Sequence, residues 1–181
     1  MALSLLALLV AIAAAAGSLY FTLELGHTAC TLCLYQRAFA FALVGVLACG
    51  VLAFRDRAAR VCLLALPVAV GGLGVAAYNS YLGMTDWPRQ NENWFLACPA
   101  GIEGYGTVTQ QSLVAFGAVT LLLLIGAVGE VKVSGHGGLA LIAGLALGVG
   151  AAYGSIVANP PMEPAKPAQP GALTECRPTL R

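Results

Sequence analysis

The chain has 181 residues, 59% hydrophobic and 9% charged, with a formal net charge of +1 and a mean hydropathy of +0.84. Soluble domains carry about 25% charged residues, so the composition excludes a water-soluble globule and points to a membrane protein. Without a basic field there is no recruitment of nucleic acid, and six cysteines are too few for a disulfide-dense scaffold.

One helical crossing of a bilayer needs about 20 apolar residues, and five runs qualify. The first, Leu3 to Leu23, holds no charge. No basic residue precedes its apolar part and it is long for a signal-peptide core, so it is expected to be a retained span. Next comes the stretch CTLCLYQR, Cys30 to Arg37, which leads into the second run, Leu34 to Phe54, whose only charge is Arg37. The connection RDRAAR carries Arg55, Arg57 and Arg60, and the third run is Val61 to Leu82. A long loop from Gly83 to Gln111 holds Trp87, Trp94, Phe95, Cys98 and Tyr105. Its two tryptophans suit anchoring at the headgroup level. Ser112 to Gly129 forms the fourth run, EVKVSGHG a short connection, and Gly138 to Ala158 a fifth run rich in glycine and alanine. From Asn159 onward a proline-rich tail, expected to be extended, carries Cys176. The expected fold class is therefore an all-α polytopic membrane bundle of five transmembrane helices.

Short arginine-rich loops stay cytoplasmic. RDRAAR therefore places the amino terminus inside, and Lys166, Arg177 and Arg181 in the tail pull against that orientation. Five crossings then set Cys30, Cys33, Cys98 and Cys176 on one outer face, which in a bacterial membrane is oxidising. Cys49, inside the second run, and Cys62, opening the third, read as small buried hydrophobes rather than redox groups.

A Cys-x-x-Cys pair at a helix start forms a disulfide easily, and the helix amino terminus stabilises a thiolate. Thr28 or Thr31 can cap that helix. Arg37, four residues after Cys33, shares its face one turn on. A cation just inside a membrane marks a functional site unless it snorkels to the headgroups, and position alone leaves both readings open. No metal is expected, because His27 has no second ligand group nearby and His136 lies on the other face.

CTLCLYQR resembles the signature of the disulfide bond formation protein B (DsbB) family, Cys-x-x-Cys-x-Tyr-x-Arg before the second span. The resemblance continues in GGLGVAAYNSYLG of the third run and in ACPAGI around Cys98, and covers about residues 1 to 131. It implies a four-helix core at 1–131; the extra transmembrane helix expected at 132–158 and the outer tail at 159–181 lie outside the resemblance. It also implies an enzyme of the bacterial inner membrane that reoxidises a DsbA-like, thioredoxin-fold periplasmic protein and reduces a membrane quinone, ubiquinone or menaquinone. Cys30 and Cys33 match the quinone-proximal pair, Arg37 the quinone-binding arginine, Tyr35 a tyrosine without a derived role, and Cys98 the first cysteine of the partner-facing pair. Family members usually place the second cysteine of that pair in the same loop. Here Cys176 of the tail stands in for it, unless Cys176 is a spare thiol and Cys98 pairs with Cys30 or Cys33. Many members also have a histidine where Asn79 stands, which leaves the second polar contact to the quinone open.

Two other readings remain at this point. One is an enzyme similar to vitamin K epoxide reductases, although in that family the loop cysteines precede the Cys-x-x-Cys. The other is a non-enzymatic membrane subunit whose cysteines clip its loops.

Overall fold

The computed structural model describes residues 2–24, 31–53, 58–85, 101–102, 106–133 and 137–157. They form five helices: α1 (Ala2–Leu23), α2 (Thr31–Ala53), α3 (Ala58–Thr85), α4 (Val108–Val133) and α5 (Gly137–Val157). A two-residue hairpin, β1 (Gly101–Ile102) paired antiparallel with β2 (Gly106–Thr107), precedes α4. The all-α bundle expected from the apolar runs is what the chain forms. α1 to α4 are each long and apolar enough to cross a membrane, while the apolar stretch of α5 with described side chains, Leu141–Val157, is shorter.

Half of the α3 span is buried inside the protein, against 22% for α1 and 28% for α2 and α4. α3 is thus the central helix, and α2, α4 and α5 all pack on it. Lipid offers no hydrophobic drive between helices, so they associate through close packing of small residues. Gly71, Gly72 and Gly74 each meet a different neighbour. A Cβ at Gly71 would lie 2.7 Å from the Phe39 ring of α2, and one at Gly74 would lie 2.6 Å from the Ala152 Cβ of α5. At Gly72 it would overlap the Phe116 ring of α4. α5 answers with Gly148, where a Cβ would lie 2.7 Å from the Pro67 carbonyl oxygen. Pro67 is tolerated inside α3 because neighbouring helices cover the backbone it disrupts.

α1 turns Ser4, Ala7, Ala11 and Ala15 inward, one small residue per turn, while its larger side chains, such as Leu9, face outward. Leu43, Leu47, Val61, Leu66 and Leu123 fill the centre of the bundle. Cys62 is buried there, as expected, but Cys49 is not: it is an exposed free thiol on the outer surface of α2. Both faces of a membrane helix are apolar, so hydrophobicity alone could not tell its lipid side from its core side.

α4 begins with a reciprocal cap. Gln110 N–H donates to Thr107 Oγ1 at 3.3 Å, and Thr107 N–H donates to Gln110 Oε1 at 3.1 Å. Each side chain thereby satisfies a backbone donor at the helix start. Ser80 Oγ–H of α3 donates to the Thr109 carbonyl at 3.1 Å and ties the two helices at this end.

The packing around α3 predicts unequal costs for adding one methyl group. Gly72→Ala should destabilise the bundle by about 1–3 kcal/mol, the usual cost of overpacking a filled core. Gly117→Ala, where nothing lies within 4 Å, should not. Detergent-titrated unfolding followed by circular dichroism measures both, and equal midpoints for the two variants would show that Phe116 can swing aside.

Candidate functional site

α2 opens at Thr31, so Cys33 lies in the first helical turn, where backbone N–H groups lack intrahelical acceptors. That is the environment that favours a thiolate. Thr31 is the first residue of the helix itself; Thr28 lies outside the described residues, as do Cys30, Cys98, Cys176, His27, His136, Trp87, Trp94, Phe95 and Tyr105. Cys33 is disulfide-bonded and its partner lies outside the described residues, whereas Cys49 and Cys62 are free thiols.

Cys33, Gln36, Arg37 and Ala40 recur every three or four residues and form one wall of a cavity of about 160 Å³ between α1, α2 and α4. Gly17, Ser18 and Phe21 of α1 and Ser112, Ala115 and Phe116 of α4 contribute the other walls. For scale, an apolar protein cavity of about 150 Å³ takes up benzene. The space is therefore that of one aromatic ring, beside the sulfur.

Arg37 lies six residues into α2, about 9 Å along the helix at 1.5 Å per residue. Its side chain does not run out past the helix end. Nε–H donates to Ser18 Oγ at 2.9 Å, and Nη2 donates to the Ser18 carbonyl at 3.0 Å and to Thr22 Oγ1 at 2.5 Å. These bonds hold the guanidinium in the cavity wall, so of the two readings of Arg37 the geometry favours a fixed cation over a snorkelling one. All three acceptors are uncharged, so the positive charge is oriented by α1 without being neutralised by it.

Gln36 is 5% exposed. Its Oε1 lies 3.1 Å from Ser112 Oγ, whose single proton is shared between that oxygen and the Thr109 carbonyl at 2.9 Å. Its Nε2 is buried with no hydrogen-bond partner. Leaving such a donor unsatisfied costs about 1–3 kcal/mol.

On the far side of the sulfur stands Asn79 of α3, fully buried. Its Nδ2 donates to Cys33 Sγ at 3.8 Å, and its Oδ1 has no partner. Asn79 is not among the cavity-lining residues. Leu32, Val75 and Ala152 form an apolar cluster here, with Cys33, Tyr35, Phe39, Tyr78 and Leu82 packed against it. Tyr35 thus gains a packing role beside Cys33, and α5 reaches this cluster through Ala152. Among the described residues no group of three His, Cys, Asp or Glu could hold a metal ion.

Sequence reasoning singled out Cys33 and Arg37, which the structure brings to one cavity wall, but not Gln36, Ser112, Ser18 or Thr22. A signal for two of these was present. Ser18 and Thr22 are four apart, on one face of the last turns of α1, and that face meets the arginine.

A family model described as "Disulfide bond formation protein DsbB" matches residues 1–113, which is more than half of the chain. The match covers α1 to α3 and ends inside α4. A probable disulfide formation protein of Chlamydia pneumoniae is 33% identical over 110 residues, which is 60% of this chain and 79% of that relative. No solved structure matches the chain at a significant level.

The contact between Asn79 and Cys33 predicts a shift in redox equilibrium. A donor to sulfur stabilises the thiolate more than the disulfide, whose sulfur is a weak acceptor. Asn79→Leu should make the Cys33 disulfide harder to reduce. If the bond contributes about 1.4 kcal/mol, the potential falls by about 30 mV. Equilibration against dithiol buffers, with alkylation to count free thiols, measures this; an unchanged potential would mean that Asn79 only fills space.

Proposed function

The chain belongs to the disulfide bond formation protein B family, and from that premise we propose that this multi-pass, disulfide-forming membrane protein reoxidises a DsbA-like, thioredoxin-fold partner and passes the electrons to a membrane quinone. The observation that carries the reading is the shared wall of Cys33 and Arg37 on a cavity the size of an aromatic ring. The residues fit a quinone headgroup. A buried amide donor without a partner suits a ring carbonyl, and an oriented, uncompensated cation suits negative charge gathering on the ring. Ubiquinone and menaquinone share that chemistry, which is to accept two electrons and two protons.

In this reading Cys30 and Cys33 cycle between disulfide and dithiol. Cys33 is the sulfur beside the cavity, with its thiolate supported by the start of α2 and by Asn79 Nδ2. Arg37 binds and polarises the acceptor while α1 holds it in place. Cys98 and Cys176 form the second pair, and Cys98 is the sulfur that the partner's thiolate attacks. The dithiol so formed at Cys98 and Cys176 then reduces the Cys30–Cys33 disulfide. Every exchange is a thiolate attacking a disulfide sulfur, so two electrons pass from pair to pair and the partner leaves oxidised. The tail from residue 159 is long enough for such a bridge, at about 3.1 Å per residue when extended. The compartments follow from the reactants: thiol exchange on the periplasmic face of the inner membrane, electron transfer at the lipid.

Replacing Cys30 or Cys33 by alanine should abolish reduction of a short-tailed quinone by a reduced thioredoxin-fold partner. A lone thiol cannot cycle, so turnover retained in either variant would sink the assignment. A non-enzymatic clip predicts no quinone reduction by the wild-type protein either.

Non-reducing peptide mapping of the oxidised protein should recover Cys98 joined to Cys176. With Cys176→Ala, Cys98 should accumulate a mixed disulfide with a partner lacking its own resolving cysteine. A free Cys176 beside a Cys98–Cys30 or Cys98–Cys33 peptide would overturn the second pair.

A further inference from the structure

We propose that Gln36 is a second polar contact to the quinone ring: its Nε2–H donates to a ring carbonyl, and Ser112 of α4 orients the amide. The inference rests on the quinone reading above and assigns a contact that Asn79 does not make. Asn79 donates to Cys33 Sγ and is not among the residues of the cavity wall. Gln36 lines that wall one turn from Cys33 and beside Arg37.

Three observations converge on the amide. It is 5% exposed, so no bulk solvent competes for it. Its oxygen is engaged by Ser112 Oγ at 3.1 Å, which leaves the Nε2 arm as the free one. That arm is buried and unpartnered. Buried amide donors in proteins are almost always hydrogen-bonded, so an exception lining a cavity calls for a ligand acceptor. Three other polar side chains of the wall, Ser18, Arg37 and Gln111, already have partners. Ser18 already accepts from Arg37 Nε, and Arg37 Nη2 already donates to two α1 oxygens. Ser112 is a positioning residue, because its hydroxyl donating to Gln36 Oε1 sets which arm of the amide is left free.

A binding role and a packing role predict opposite changes in stability. Gln36→Met keeps the volume and removes the orphaned donor. If Gln36 serves the ligand, the ligand-free variant melts at the wild-type temperature or above it. Its dissociation constant for the quinone then rises roughly three- to tenfold, the range for one neutral hydrogen bond. If Gln36 only supports the fold, melting drops and affinity does not change selectively. Ubiquinone-1 and a short-tailed menaquinone are each titrated into detergent-solubilised protein by calorimetry, and melting without quinone is followed by circular dichroism. Ser112→Ala provides a second handle, even if Gln36→Met fails to fold. It should weaken quinone binding in the wild-type background and leave it unchanged in the Gln36→Met background, because the two residues act through one contact. Unchanged affinity in Ser112→Ala, or in a folded Gln36→Met, overturns this inference while the quinone reading stands. Failure of the wild-type protein to bind either quinone overturns both.

Discussion

The close approach of three helices to α3 at Gly71, Gly72 and Gly74 is the constraint on which the remaining geometry depends. Each glycine faces a different neighbour, and no side chain larger than hydrogen fits at any of the three without something moving. Packing that tight fixes the rotation and height of α3 as well as its position. Asn79 lies five residues beyond Gly74, about 7.5 Å further along the helix. It therefore meets Cys33 because the glycines let α3 sit this close to α2. Ser80, on the next position, finds the Thr109 carbonyl for the same reason.

Around Cys33 the surroundings divide in two. Toward α1 and α4 lies a cavity with two amides, a guanidinium and two hydroxyls in its wall. Toward α3 and α5 lies the cluster of Leu32, Val75 and Ala152, with Asn79 as the polar contact to the sulfur. A membrane interior charges heavily for unpaired polar groups. The few present are accordingly paired: Arg37 to α1, Ser80 to α4, Ser112 to Gln36 and Thr109. Those left over, Gln36 Nε2 and Asn79 Oδ1, belong to two residues that neighbour Cys33, one a helical turn on and one across on α3. Thr120 Oγ1 is a third orphan, and nothing in the structure accounts for it.

Much of the fold could be read in advance because the bilayer imposes length. The run from Leu3 to Leu23 became Ala2–Leu23, and that from Gly138 to Ala158 became Gly137–Val157. α4 begins four residues earlier than its apolar run, because the polar turn from Val108 to Gln111 is stabilised by the Thr107 and Gln110 cap, a local signal that hydropathy ignores. Cys33 and Arg37 were legible because their spacing alone puts them on one face. Gln36 was not, since an amide between a tyrosine and an arginine carries no periodic signal, and its place in the wall emerges only when α4 brings Ser112 against it. Cys49 was misjudged for the reverse reason. In a helix apolar all round, the distribution of small and large residues separates core from lipid, and a single cysteine is too small to be informative.

The cavity wall also determines where protons can travel. Among its described lining residues, Cys33 and Arg37 are the only ionisable side chains, with amides, hydroxyls and hydrocarbon making up the remainder. Among the described residues of the wall there is no carboxylate or imidazole. In the proposed reaction a dithiol releases two protons on becoming a disulfide, and a quinone takes up two on full reduction. The exchange is therefore proton-neutral within the site, with the sulfurs as donors and the ring oxygens as acceptors. In the proposed reaction, electrons thus pass from water-soluble thiols to a lipid-soluble carrier with each proton released at sulfur matched by one taken up at the ring.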